Sequence, residues 1–217
     1  MANMRTYDSP TGLKKIVKIS DSITMLVYTT REALCKALCR IEEHYESPEF
    51  KGKIFTLGQY REWYSSRYGA WTYYKDWSGF NIPGASLDLF NRGLFDPLEP
   101  EESEVIDLFR HKTGTFCIIG TFEGGDADVF EHEICHAMFC TNPEYKSEVL
   151  EALSEFDNGL GALKKMLIDD LGYNESVLLD ECHAYVCESS DWLKEKGIDF
   201  PEELVQILKE IKAKHRD

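Results

Sequence analysis

The chain lacks any apolar run long enough to span a bilayer. Its seven cysteines include no CxxC pair. Met1 to Lys15 is polar and has no apolar stretch of the kind a secretory signal needs. Positive charge is also scarce: 24 Lys and Arg stand against 39 Asp and Glu, a net charge of −15. A surface this acidic repels phosphate backbones and anionic lipid, which argues against nucleic-acid and membrane-surface roles. A neutral or basic peptide or protein would suit its field better. The cysteines (35, 39, 117, 135, 140, 182 and 187) are odd in number. Without an export signal they read as reduced thiols, several of them buried, and a cytoplasmic setting is expected. A leaderless secreted protein would share these features.

No linker or low-complexity segment divides the 217 residues, which suffice for one well-cored domain. The pattern predicts an α+β fold, with a small mixed sheet in an α/β half over 1–125 and a mainly helical half over 126–217. Leu13–Ile19 and Ile23–Tyr28 are rich in β-branched residues and read as two strands joined at Ser20-Asp21-Ser22. Thr30 caps a helix over Arg31–His44, Lys53–Phe55 reads as a short strand, and Thr56 caps a helix through Tyr64. Tyr64–Gly93 is dense in aromatics without a clear period. It reads first as aromatic core, with a cleft wall as the alternative. Thr113–Phe122 carries the strongest strand signal and is expected to be an edge strand near 114–122, where an extended peptide could add by backbone hydrogen bonds. Helices are expected from about Ala127 to Asn142, from Pro143 to Phe156, up to Leu171, over Glu175–Leu193, and after Asp199-Phe200-Pro201. The last carries an apolar stripe of Leu204, Ile207, Leu208 and Ile211.

Within the first of those later helices lies His132-Glu133-Ile134-Cys135-His136, an HExxH run. Residues four apart share one helical face, so His132 and His136 can bind one ion while Glu133 holds a water beside it. Zinc peptidases generate hydroxide at neutral pH with that layout. Ala127, Phe130, Ile134 and Met138 form an apolar stripe on another face of the same helix. A third ligand is available at Glu181, whose neighbours one turn away are Val177, Leu178, Ala184 and Tyr185. A carboxylate embedded in an apolar face is costly unless a cation compensates it. Glu181 is favoured over His183, which lies about 200° round the same helix, and over Glu148 and Glu151.

At these residues the chain resembles the gluzincin group of zinc metallopeptidases, in which HExxH on one helix is followed by a glutamate on a later one. The resemblance implies a zincin-like fold, a Zn2+ cofactor held by His132, His136 and Glu181, and Glu133 as general base in peptide hydrolysis. Glu181-Cys182-His183-Ala184 also matches the Glu-x-x-Ala of many gluzincin second helices, and the C-terminal half alone carries the likeness. Where thermolysin-like enzymes place an acidic residue four after that glutamate, to orient a ligand histidine, this chain has Tyr185. The orienting partner is therefore open, with Glu188 and Asp180 as candidates. Phe139 and Asn142 occupy the positions of the metzincin glycine and histidine, which excludes that group. Tyr185, one turn from Glu181, is the first candidate for stabilising the oxyanion, ahead of Tyr145, Tyr173 and His183.

Cys135-His136-Ala137-Met138-Phe139-Cys140 echoes Cys182-His183-Ala184-Tyr185-Val186-Cys187. Cysteines five apart on a helix diverge, so no closed structural zinc site is expected from either copy. Cys135 itself reads as packing. The rival to a peptidase is a non-catalytic interaction or regulatory protein with a structural or relic metal site.

Overall fold

The computed structural model describes residues 3–216. The chain forms two compact units that meet in sequence at Asp126 and Ala127.

The first unit is built on a five-stranded mixed sheet. Its elements in chain order are β1 (Asn3–Thr6), β2 (Leu13–Lys18), β3 (Ile23–Tyr28), α1 (Arg31–Glu46), α2 (Leu57–Tyr68), α3 (Tyr73–Asp76), β4 (Phe80–Pro83), α4 (Asp88–Asn91), α5 (Pro100–Phe109) and β5 (Cys117–Phe122). Spatial order is β1-β2-β3-β5-β4, with β3 parallel to β5 and the other pairs antiparallel. Thr30 starts α1 by accepting the Ala33 N–H. Thr56 and Gln59 form a reciprocal capping box at α2. Gly120 lets α1 lie directly on β5: a Cβ there would meet Leu38 Cδ1 at 2.3 Å and Leu34 Cδ1 at 2.8 Å.

Two expectations are corrected here, and the reading of Tyr64–Gly93 as aromatic core holds. The strand near 114–122 is not an edge, because β5 pairs with β3 on one side and β4 on the other. Cys117, Ile118 and Ile119 are fully buried, which is the environment such a continuous apolar run seeks. Lys53–Phe55 forms no strand; Phe55 instead packs with Phe50, Tyr60 and Phe95. The aromatic stretch contains α3 and β4, and Tyr64, Tyr73, Phe80 and Phe90 lie in the hydrophobic core. There Tyr73 stacks on Trp71 with centroids 5.5 Å apart.

The second unit is helical: α6 (Ala127–Thr141), α7 (Pro143–Glu155), α8 (Gly161–Asp169), α9 (Leu178–Glu188), α10 (Ser190–Glu195) and α11 (Glu202–His215). Asn142 caps α7 by accepting the Glu144 and Tyr145 N–H groups, with Pro143 in the first turn. α9 is the hub of this unit and touches α6, α7, α8, α10 and α11. The long helix expected over Glu175–Leu193 is divided. A 3-10 turn spans Glu175–Val177, and Ser189 leaves helical geometry at φ −121° and ψ 23°. Adjacent serines offer the backbone competing side-chain hydrogen bonds and are a common place for such a bend. In α11 the apolar stripe also includes buried Lys212. Among the described residues, no helix is long and apolar enough to cross a membrane.

Candidate metal centre

α6 and α9 bring three of the sequence-predicted residues together. His132 and His136, one turn apart, aim their Nε2 atoms at a common point 3.1 Å from each other. Glu181 enters from α9, with Oε1 3.6 Å from His136 Nε2 and Oε2 4.0 Å from His132 Nε2. Metal–donor bonds of about 2.0–2.1 Å at a tetrahedral angle put neighbouring donors roughly 3.3–3.5 Å apart. The three observed separations bracket that value, so two imidazole nitrogens and one carboxylate fit a single small cation. His136 and Glu181 are buried and His132 is half-buried.

The carboxylate behind His136 belongs to Asp180, whose Oδ1 lies 2.8 Å from His136 Nδ1. A carboxylate on Nδ1 fixes the tautomer that leaves Nε2 free for an ion and makes that nitrogen a better donor. The same oxygen is 3.2 Å from His183 Nδ1, which also donates to the Asp180 carbonyl at 2.9 Å. His183 Nε2 lies 2.9 Å from the Tyr145 hydroxyl, and its ring stacks on Phe139. Thus His183 faces away from the ligand cluster and braces Asp180. Of the two orienting candidates, Asp180 is the one in contact with His136; Glu188 is held by Lys212 at 2.8 Å. Burial disfavours charge at Asp180, yet His136 and His183 outweigh it and hold the carboxyl well below the usual range.

Glu133 lies on α6 beside the ligands and is buried. Burial pushes its carboxyl up to about 7, against the opposing influence of His136. Tyr185 is half-buried, its ring set edge-on to His132 with centroids 4.8 Å apart and its hydroxyl 3.5 Å from that of Tyr173. Tyr145 is committed to His183, which removes it from the first layer. Sequence reasoning missed Lys212, a buried cation that donates to the Glu131 carbonyl at 3.1 Å, the Glu131 carboxylate at 2.7 Å and Glu188 at 2.8 Å. A lysine at the i+4 position from Leu208 in an apolar stripe was the available signal.

The arrangement can hold a divalent ion between two imidazoles and a carboxylate, with the Glu133 carboxyl next to them in sequence to exchange a proton. Comparison with protein-family models, with curated proteins and with solved structures found no match, so the geometry of these residues is what a functional reading of the chain rests on.

Proposed function

We propose that this protein is a zinc-dependent peptidase of the gluzincin type. The observation that carries the reading is the convergence of both HExxH imidazoles with the Glu181 carboxylate, backed by Asp180 on His136. In this reading His132, His136 and Glu181 hold the ion, and Asp180 keeps the His136 Nε2 lone pair directed at it. Zinc in such a set supplies a Lewis acid for the scissile carbonyl and brings the ionisation of water close to neutral pH. Glu133 accepts a proton from the attacking water and returns it to the leaving amine nitrogen. Tyr185, beside His132, donates its phenolic O–H to the oxygen that gains charge. Burial around these groups strengthens each electrostatic contact by excluding water.

The net charge of −15 favours neutral or basic peptides and proteins as substrates. Seven free thiols suit a reducing, cytoplasmic setting. The deciding experiment compares wild type with Glu133→Gln, measuring zinc content and cleavage of a mixed peptide library by mass spectrometry. We expect the variant to keep one equivalent of zinc and to cleave at least about a hundredfold more slowly. Equal cleavage by the two proteins, or a wild type that neither retains zinc nor cleaves, would sink the reading.

A further inference from the structure

A second cluster of reactive side chains lies between the same two helices and plays no part in the chemistry above. Cys135 of α6 and Cys187 of α9 are both fully buried. Their sulfurs and the Glu188 carboxylate lie within 4.8 Å of one another. Cys187 donates its S–H to Glu188 Oε1 at 3.1 Å, and Cys135 Sγ is 4.0 Å from the same oxygen. Lys212 donates to that oxygen at 2.8 Å. An ammonium already seated on the one carboxylate makes this pocket a poor cation site. Two thiols facing each other beside a proton acceptor are instead arranged to join.

We propose that Cys135 and Cys187 form a peroxide-oxidisable pair whose disulfide ties α6, the helix of His132 and His136, to α9, the helix of Glu181. Burial restricts the oxidant to a molecule near the size of water, and hydrogen peroxide meets that limit during local opening. The Cys135 sulfur attacks one peroxide oxygen and becomes a sulfenic acid, while its thiol proton leaves with the departing hydroxide as water. Cys187 then displaces the sulfenic hydroxyl, forming the S–S bond. Its proton passes through Glu188 to that hydroxyl, which leaves as a second water. Two thiols lose two electrons and one peroxide gains them. Closure to a bonded S–S distance draws the two sulfurs together from their present spacing and strains the helix positions next to His136.

The test treats the full chain, zinc-loaded, with hydrogen peroxide, then alkylates it under denaturing conditions and maps the peptides. A linked Cys135–Cys187 peptide that dithiothreitol reverses is expected. It should be absent from both Cys187→Ser and Cys187→Ala, either of which serves if the other folds poorly. Oxidation of the more accessible Cys140 without any 135–187 link would overturn the proposal. So would a second equivalent of zinc that is lost on Cys187→Ala, since the pair would then be a metal site. The link to the metal centre rests on the peptidase reading and is measured separately, as zinc affinity before and after oxidation. A loss of about tenfold or more is expected. Unchanged affinity with the disulfide formed would refute that coupling and leave the metal centre itself untouched.

Discussion

In the first unit the two most deeply buried opposite charges pair with one another. Arg40 of α1 meets Glu102 of α5 in a two-pronged contact, with Nε donating to Oε1 at 2.6 Å and Nη2 donating to Oε2. Its Nη1 donates to the Phe95 carbonyl at 3.1 Å. Glu43 is buried among Tyr60, Tyr73 and Ser47, whose hydroxyls ease its charge. In the second unit the buried polar groups converge instead. His132, His136 and Glu181 point at one place, and Asp180 and His183 stand behind them. Polar groups that satisfy each other stabilise or specify a core, whereas nitrogen and oxygen donors that converge on one place also offer a candidate site for a cation. The contrast separates structural burial from a candidate site within one chain.

The contrast can be broken most directly at His136. His136→Ala is expected to abolish stoichiometric zinc binding, read by elemental analysis of protein purified and dialysed against trace zinc. Retention of a full equivalent would mean that convergence here does not signify a metal site. In the first unit the matching test is Glu102→Ala, which strands the buried Arg40 guanidinium. A loss of about 3–5 kcal/mol in unfolding free energy is expected, with zinc content unchanged. Chemical denaturation and metal analysis of the same sample read both.

Glu43 gives a smaller effect with a definite sign. Burial raises its folded carboxyl from 4.5 to about 7, with Glu46 adding to the shift. The folded state therefore holds this proton more tightly than the unfolded chain does. Its contribution is fully present below about pH 4.5 and is lost as pH rises towards about 7. Glu43→Gln should remove that part of the slope and stabilise the protein by about 2–3 kcal/mol near neutral pH relative to wild type. Denaturation midpoints across that range would show an unchanged slope if the pairing of Glu43 in the first unit is misread. The smallest effect expected is at Asp180. Asp180→Asn should weaken zinc binding by about tenfold to a hundredfold. A large stability loss with unaltered affinity would move Asp180 into the structural class represented by Arg40 and Glu102.

Legibility in the sequence followed interaction range. Strands β2 and β3, helix α1 with its Thr30 cap, and the helix that carries HExxH were readable because propensity, capping and periodicity act within a few residues. The shared face of His132 and His136 follows from helical geometry alone. The apolar setting of Glu181 was visible for the same reason. Whether β5 lay at an edge was not readable, since β4 is supplied from some 35 residues earlier in the chain. The divided helix at Ser189 was missed because serine tolerates both outcomes.

By itself, the sequence determined the net negative charge, many of the local helices and strands, and the spacing that places His132 and His136 on one face of α6. Tertiary structure alone decided which carboxylate stands behind His136, that His183 braces Asp180, and that Cys135 meets Cys187. Those choices depend on how α9 packs against α6, α7 and α11. Helix packing sets rotation and offset through the fit of many side chains at once, and no short motif encodes that sum.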